Sequence, residues 1–170
     1  MDRTSLEAGV IAVARGTGFD VDCVECDPDL ADTAAFCETY GFTPNQSANT
    51  IVVASRKPEG LVAACVVLAT HRLNVNGTVR KKLGARKVSF APADLTARLT
   101  GMTMGGVTPF GLPSEIPVWI DADVMKEPYV IVGGGSRSLK LGVPPQALAA
   151  LDSAEVVSGL ANPVLQDDSK

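Results

Sequence analysis

The residues best suited to binding chemistry lie in one glycine-rich stretch, Thr100 to Pro113, which reads TGMTMGGVTPFGLP. Gly105 and Gly106 have no Cβ, so the backbone there can adopt positive φ and approach another molecule closely. Thr108 precedes Pro109 and is therefore biased towards an extended conformation. The stretch predicts a stiff loop whose backbone N–H groups can hold a carbonyl, ribose or phosphate oxygen. A tight connection between two strands is the alternative.

Basic side chains concentrate in a second stretch, although the 170-residue chain has a net charge of −4. Residues 1–40 contain nine acidic and two basic side chains, whereas residues 71–100 contain seven basic side chains and one acidic one. Such a basic face can attract a polyanion with a strong dependence on salt. A solvated helix face is the alternative, and it is the commoner meaning of a charge run. The candidate polyanion-binding residues are Arg80, Lys81, Lys82, Arg86 and Lys87.

The four cysteines do not predict metal or redox chemistry. Cys23 and Cys26 have CxxC spacing, but they lie in an alternating pattern typical of a strand. A zinc site would need Cys37 and Cys65 to converge on that pair, with His71 as the only histidine of the sequence. We therefore expect reduced, mostly buried thiols, no metal and no cofactor. His71 is expected to be an isolated surface residue.

The composition is that of a globular protein. The apolar content of 46% argues against disorder, and the length suits one domain, residues 1–170. Within it we expect an N-terminal helix in residues 1–20 and a frayed tail at residues 162–170. The longest apolar run, residues 61–69, is too short to span a bilayer, and the start MDRTSLEAG shows no signal-peptide pattern. A cytoplasmic location is the expectation.

Short strands alternating with short helices must position these residues. In one predicted helix, Val75, Val79 and Leu83 share a face, which turns Arg80 to Lys82 outwards. The expected helices are residues 4–15, a helix capped by Asp29 or Asp32 that ends at Tyr40, a helix capped by Asn74 that ends at Gly84, residues 93–99, and a last helix opened by Pro144 and Pro145. The expected strands are residues 21–25, 50–55, 61–68, 87–90, 118–120, 129–132 and 139–141, the second and third forming a hairpin.

The order of these motifs resembles one known family. The strand entry NTIVV is followed by RLNVNGTVRKKLGARKVSFA, by TGMTMGGVTPFGLP and by YVIVGGGSRSLKL. This order is similar to that of the YbaK-type aminoacyl-tRNA deacylases, relatives of the editing domain of bacterial prolyl-tRNA synthetases. The resemblance implies a mixed α/β fold, with a mostly antiparallel sheet curled into a partial barrel and flanked by helices.

The resemblance implies an enzyme that hydrolyses the ester between a wrong amino acid and its tRNA, such as Cys or Ala on tRNA-Pro. Its partners would be the acceptor end of a mischarged tRNA and an aminoacyl-tRNA synthetase, with no membrane and no DNA. Catalysis would depend on positioning and on the terminal hydroxyl of the tRNA, or on the thiol of a cysteinyl substrate. No Ser-His-Asp arrangement is evident in the sequence, which agrees with that mechanism.

The resemblance also assigns residues to one pocket. The candidate catalytic residues are Asn49, Thr50, Gly105 and Lys140. The candidate substrate-binding residues are Gly106, Val107, Thr108, Pro109, Gly134, Gly135, Ser136 and Arg137. The basic cluster named above would bind the tRNA.

Two positions depart from the family pattern. The family has lysine before threonine where this chain has Asn49 before Thr50, and it has aspartate where this chain has Lys140. Either Lys140 replaces the lost charge, or the editing activity is altered or absent. The alternative functions are therefore a non-catalytic relative that binds tRNA or an aminoacyl-adenylate, and a hydrolase of small esters or amides unrelated to tRNA.

Overall fold

The computed structural model describes residues 3–164 as a mixed α/β fold in which helices flank the sheets. The helices are α1 (Arg3–Arg15), α2 (Thr33–Tyr40), α3 (Arg80–Leu83), α4 (Ala93–Thr100) and α5 (Pro145–Ala149). The strands are β1 (Asp22–Glu25), β2 (Ala48–Lys57), β3 (Glu59–Leu68), β4 (His71–Leu73), β5 (Lys87–Phe90), β6 (Val118–Asp121), β7 (Val130–Gly133), β8 (Leu139–Val143), β9 (Ala154–Val157) and β10 (Ala161–Pro163).

The largest sheet has the strand order β5-β2-β3-β6-β9. The first three strands are antiparallel, and β2 and β3 form the expected hairpin. β6 and β9 join in parallel because long connections return the chain to the same end of the sheet. All four residues of β6 are buried, as is typical of a strand covered on both faces.

A second sheet, β1-β8-β7, is antiparallel and touches the large sheet through a parallel bridge between Ser47 and Ile131. β4 and β10 form a separate antiparallel pair. The sheets do not close into a barrel.

The hydrophobic core lies on both faces of the large sheet because side chains alternate along each strand. Val52 and Val66 belong to the cluster on one face, together with the fully buried Phe110. Val53 and Val67 belong to the cluster on the other face. A smaller cluster around Phe36 packs α2 against the second sheet.

The helix that carries the basic residues begins as predicted. The Oδ1 atom of Asn74 accepts a hydrogen bond from the backbone N–H of Gly77, and a π-helical turn, Val75–Val79, leads directly into α3. Val79 is buried, and Val75 and Leu83 pack against the same cluster. The spacing of these three apolar residues was therefore a sound guide to which face of the helix is buried.

Three strands were not predicted: β4, β9 and β10. Residues 161–163, at the start of the expected frayed tail, pair with β4 in a short strand. Asn162 and Pro163 are exposed and break any apolar alternation, so the sequence contains no signal for this pairing. Residues 165–170 of that tail, and residues 1 and 2, lie outside the described residues. In the described part of the chain, no helix is both long and apolar enough to cross a membrane.

Candidate active site

A cavity of about 440 Å³ opens where β2 extends beyond its neighbour β5. β5 ends at Phe90, and the next residue, Ala91, donates its N–H to the carbonyl oxygen of Val52. On this edge, the first residues of β2 therefore border the cavity, whereas on the other edge they pair with β3. The cavity is lined by Ala31, Asp32, Thr33, Ala48, Asn49, Thr50, Ile51, Val52, Phe90, Ala91, Thr96, Met104, Gly105, Val107, Gly133 and Lys140.

Lys140 places a cation in the cavity wall. Leu139 and Leu141 are buried on one face of β8, so Lys140 faces the other. Its Nζ atom donates a hydrogen bond to the carbonyl oxygen of Gly105, 2.7 Å away, and lies 5.7 Å from the centroid of the Phe36 ring. Burial lowers the pKa of Lys140 below its usual 10.5. Lys140 thus holds the loop of residues 100–113, called the glycine loop below, in place. The positive charge of Lys140 remains at the cavity.

Arg137 holds the neighbouring carbonyl of the same loop. Its Nη1 atom donates to the carbonyl oxygen of Met104 at 3.2 Å and to Oδ1 of Asp32 at 3.1 Å. Its Nε atom donates to the carbonyl oxygen of Pro28 at 2.9 Å. The hydrogen bond from Arg137 lowers the pKa of Asp32, which stays ionised at neutral pH. Lys140 and Arg137 therefore hold two consecutive loop carbonyls.

The glycine loop packs backbone to backbone against the turn that follows β7. The N–H of Gly135 donates to the carbonyl oxygen of Gly106 at 2.7 Å. A Cβ atom at Gly106 would overlap the backbone of Ser136, and one at Gly133 would overlap the carbonyl of Val107. The N–H of Gly106 donates to the carbonyl oxygen of Thr103, so this N–H does not point outwards to a ligand as predicted. The glycines serve close packing.

Asn49 and Thr50 occupy the strand entry at the cavity. Oδ1 of Asn49 accepts a hydrogen bond from Oγ1 of Thr33 at 3.1 Å. Asn49 and Lys140 also line a small adjoining pocket of about 10 Å³, beside Phe36. Oγ1 of Thr50 is buried and has no hydrogen-bond partner among the described residues. An unpaired buried hydroxyl costs about 1–3 kcal/mol, so Thr50 is the protein group that a ligand would satisfy best.

The structure brings together only part of the predicted site. The predicted residues that line the cavity are Asn49, Thr50, Gly105, Val107 and Lys140. The remaining predicted pocket residues, which support the loop or the turn from outside the cavity, are Gly106, Thr108, Pro109, Gly134, Gly135, Ser136 and Arg137.

The polar or bulky wall residues that were not predicted are Asp32, Thr33, Ile51, Phe90, Thr96 and Met104. Phe90 and Met104 are unusually exposed for apolar side chains, at 56% and 51%. The sequence places Phe90 at the end of a predicted strand, but its exposure is a property of the folded chain that the residue pattern does not encode. Asp32 resembled a helix cap in the sequence, and it does precede α2, although its side chain makes no capping bond.

The basic cluster lies outside the cavity. Lys81, Arg86 and Lys87 are exposed, whereas Arg80 is partly buried and donates through Nε to the carbonyl oxygen of Asn76. Lys82 is bound to Glu155 at 2.6 Å and lies over the ring of Trp119. Because β5 runs from Lys87 to Phe90, the cluster begins about 10 Å along this strand from the cavity rim.

A wider groove of about 690 Å³ lies elsewhere, between the end of α1 and the second sheet. Its wall includes Arg15, Asp22 and Tyr129, and it contains none of the predicted site residues. The hydroxyl of Tyr129 donates to Asp22, and burial raises the pKa of Tyr129 to about 12. The smaller cavity is the better candidate because the sequence motifs converge on it.

The cysteines and the histidine lie apart from the cavity lining. Cys26, Cys37 and Cys65 are buried free thiols, Cys23 is exposed, and burial raises the pKa of Cys65 to about 12. His71 is not the isolated surface residue that was expected. Its side chain is only 10% exposed and hydrogen-bonds through both ring nitrogens.

Comparison with known proteins identifies the class to which this fold and cavity belong. The profile of the aminoacyl-tRNA editing domain matches residues 27–151, a range that includes the strand entry, the glycine loop and Lys140. The chain belongs to the aminoacyl-tRNA editing domain family, which confirms the resemblance seen in the motif order.

Individual relatives are distant but similar in length. The chain is 22% identical over 127 residues to the "Putative Cys-tRNA(Pro)/Cys-tRNA(Cys) deacylase EbsC" of Enterococcus faecalis, covering 75% of this chain and 76% of that protein. It is 25% identical over 135 residues to the uncharacterized protein YwhH of Bacillus subtilis, covering 79% and 83%. The crystal structure of a "putative trans-editing enzyme for prolyl tRNA synthetase" superposes with a TM-score of 0.79 at 21% identity, covering 96% and 99%, and shows the shared fold.

Proposed function

We propose that this protein is a trans-acting deacylase that hydrolyses the ester bond of a mischarged aminoacyl-tRNA. The observation that carries the proposal is the cavity in which Thr50, the glycine loop and Lys140 meet. Membership of the editing-domain family supports the substrate class, and the names of two relatives, one a Cys-tRNA deacylase and one a trans-editing enzyme, point the same way.

The cavity suits a small aminoacyl group. Three of its wall residues are alanines, Ala31, Ala48 and Ala91, and they leave space without adding polar groups. The exposed side chains of Phe90 and Met104 lie at the rim. Unpaired bases of RNA stack on such apolar surfaces, so the terminal adenine has a place beside the aminoacyl pocket. Cysteine and alanine are accordingly the amino acids we expect to be removed.

The polar groups of the wall suit positioning and charge stabilisation. The ammonium of Lys140 has three N–H donors, of which the bond to Gly105 uses one. The hydroxyl of Thr50 is a further donor. Aimed at the ester carbonyl, these groups stabilise the negative charge that develops as an oxygen nucleophile attacks. When water attacks, its oxygen bonds to the carbonyl carbon, the ester bond to the ribose breaks, a proton of the water passes to the departing ribose oxygen, and the free amino acid is released.

The protein supplies no general base that stands out. Among the described lining residues the one carboxylate is that of Asp32, and it is paired with Arg137. An aminoacyl ester is already activated, so orientation supplies much of the rate. The attacking group is then water, oriented by the tRNA's own terminal hydroxyl, or the thiol of a cysteinyl substrate. In the second case the thiol sulfur bonds to the carbonyl carbon, the thiol proton passes to the departing ribose oxygen, and cysteine leaves as a cyclic thioester.

In this proposal, the basic cluster is the surface that binds the tRNA. Lys81, Arg86 and Lys87 are exposed and continue from the cavity rim along β5. Phosphates of the acceptor stem are the polyanion that such a surface attracts. We infer that the acceptor stem lies along α3 and β5 while its end enters the cavity.

One observation favours a second function. Asn49 stands where the family has lysine, and its side chain is occupied by Thr33. A relative that binds tRNA or an aminoacyl-adenylate without hydrolysing it would need no more than the cavity and the basic cluster.

The deciding experiment is a deacylation assay of the full chain with tRNA-Pro charged with cysteine, alanine or proline. Release of cysteine or alanine, but not of proline, above the rate without protein supports the proposed hydrolase. Salt-dependent binding of the same tRNAs without release selects the binding relative. Neither binding nor release contradicts both.

A further inference from the structure

Three side chains outside the cavity form a cluster that we call the acidic corner: His71, Asp121 and Asp123. His71 is the first residue of β4, Asp121 the last of β6, and Asp123 lies in the turn that follows β6. One nitrogen or oxygen atom from each residue lies within 4.8 Å of the others. None of the three lines the editing cavity.

Asp121 is the unusual member of the corner. The residue is 1% exposed. Its Oδ1 atom accepts a hydrogen bond from the N–H of Ala161 at 3.1 Å, but Oδ2 is buried and has no hydrogen-bond partner among the described residues. Burying a carboxylate oxygen without a partner is costly, so a native structure normally supplies one. Oδ2 of Asp121 therefore lacks the partner that a group bound in the corner would supply.

The other two side chains form a hydrogen bond with each other. Nε2 of His71 lies 2.8 Å from Oδ2 of Asp123, while Nδ1 of His71 lies 3.0 Å from Oγ1 of Thr70. A carboxylate oxygen can only accept, so the contact with Asp123 needs a proton on Nε2, and a cation that replaces this proton would bind Nε2 while Nδ1–H donates to Thr70. Oδ1 of Asp123 is held by Lys126 at 2.8 Å, so Oδ2 is the oxygen that the cation would take over from His71.

We propose that the acidic corner binds one divalent transition-metal cation, with Zn²⁺ the best match, through Nε2 of His71 and one carboxylate oxygen each of Asp121 and Asp123. The imidazole favours a transition metal over Mg²⁺ or Ca²⁺, which prefer oxygen ligands. The cation replaces the proton shared between His71 and Asp123 and gives Asp121 its missing partner. Three protein ligands leave one position for water, and the partial exposure of His71 and Asp123 gives access.

The expected role of the cation is structural. Asp121 ends β6 and binds Ala161 of β10, whereas His71 begins β4, which pairs with β10. A metal in the corner would therefore clamp the β4–β10 pair to the large sheet. Removing it should lower stability, and this effect is measurable in the absence of any tRNA.

The test uses the full chain, stripped with EDTA, exchanged into chelator-free buffer and titrated with Zn²⁺ by calorimetry. We expect one Zn²⁺ per chain and a rise in the unfolding temperature on binding. Titration with Co²⁺ should give a spectrum without the charge-transfer band of a thiolate ligand. His71→Gln, Asp121→Asn and Asp123→Asn should each weaken Zn²⁺ binding by more than about tenfold.

Two matched controls should bind Zn²⁺ as the parent does: Asp152→Asn, an exposed carboxylate, and Cys23→Ser, the exposed thiol. Absence of stoichiometric binding overturns the proposal, and so does binding that Cys23→Ser removes and His71→Gln leaves intact. If Asp121→Asn does not fold, His71→Gln and Asp123→Asn decide, because both sites are partly exposed.

Discussion

The cavity and the acidic corner both contain charged side chains that are partly or fully buried, but the charge is positive in the cavity and negative in the corner. In the cavity wall, the Lys140 cation is held by the carbonyl oxygen of Gly105, and from outside the cavity Arg137 binds the neighbouring carbonyl of Met104. In the corner, Asp123 binds both His71 and Lys126, and one buried oxygen of Asp121 stays unpaired among the residues that the structure describes. Carbonyl dipoles orient a cation without neutralising it, so the cavity stays suited to developing negative charge, whereas the corner is suited to a cation.

The two regions also differ in how they are held. The cavity wall is a loop packed backbone to backbone against a turn, so its geometry is fixed before any ligand arrives. The corner depends on side chains from two segments distant in sequence, the start of β4 and the end of β6 with the turn that follows it. Changes in the cavity should therefore alter activity most, and changes in the corner should alter stability.

Removal of the cavity cation should have the largest effect. Lys140→Met keeps an apolar stem but removes the charge and the bond to Gly105. We expect deacylation to fall by about 10²–10³-fold, the reduction typical of removing one preorganised donor. Lys57→Met, an exposed lysine at the end of β2, is the matched control. A Lys140→Met protein that turns over like the parent would show that the cation is not used in hydrolysis.

The packing of the loop against the turn can be tested next. Gly106→Ala puts a methyl group into the backbone of Ser136, so we expect a decrease of about 1–3 kcal/mol in the free energy of unfolding. Gly9→Ala is the control, since a methyl group there meets no atom within 4 Å. In the middle of α1 it should stabilise the protein by up to about 1 kcal/mol. Equal urea midpoints for both variants would contradict the close packing.

Much of the fold was predictable because its signals are local. The periodicity of Val75, Val79 and Leu83 and the hairpin between β2 and β3 follow from neighbouring residues. The short strand β10 is different, because Asn162 and Pro163 pair with β4, a strand far away in the sequence. Tertiary context decides such short strands.

Sequence motifs predicted part of the candidate site. The resemblance placed Asn49, Thr50 and Lys140, but it could not distinguish residues that line the cavity from those that support it. Whether a residue lines the cavity or supports it depends on the direction of its side chain and on the packing of strands that are distant in sequence. His71 shows the same limit, because its partner Asp123 lies fifty-two residues away.

The charge exchange between Asn49 and Lys140 can be tested by a double-mutant cycle. Both side chains line the small pocket beside Phe36, so Asn49→Lys places a second ammonium near the first and should destabilise the protein. Adding Lys140→Asp restores the family's pair of charges. We expect a coupling energy of about 1 kcal/mol or more in favour of the double variant, measured by urea unfolding. Additive changes would mean that the two side chains do not interact.

The salt dependence of tRNA binding tests the basic surface. Replacing Lys81 and Lys87 by glutamate should weaken binding and reduce the slope of log K against log salt by about one for every phosphate that the variant no longer neutralises. Lys82→Gln is the matched control, because Lys82 is already paired with Glu155. Filter binding at several salt concentrations measures both quantities. An unchanged slope would mean that the basic residues form an ordinary solvated helix face and do not contact phosphates.

The smallest expected effect is a pH dependence of stability that comes from Lys140. Burial lowers the pKa of Lys140 in the folded protein, whereas the unfolded chain keeps a value of about 10.4. Between these two values the unfolded state binds more protons, so the free energy of unfolding should rise with pH across that interval. Below the folded pKa both states are protonated and the contribution is constant.

The measurement compares the parent with Lys140→Met, so that titrating groups remote from Lys140 cancel. Urea unfolding from about pH 8 to about pH 10.5 should show the parent gaining stability relative to the variant as Lys140 loses its proton. Cys26 and Cys37, whose pKa values are raised by burial and lowered by the charge of Lys140, are replaced by alanine in both proteins, because their titration would otherwise differ between parent and variant. A parent that instead loses stability relative to the variant would mean that the charged ammonium is stabilised in the folded state. The hydrogen bond to the carbonyl of Gly105 would then outweigh the cost of burying the ammonium.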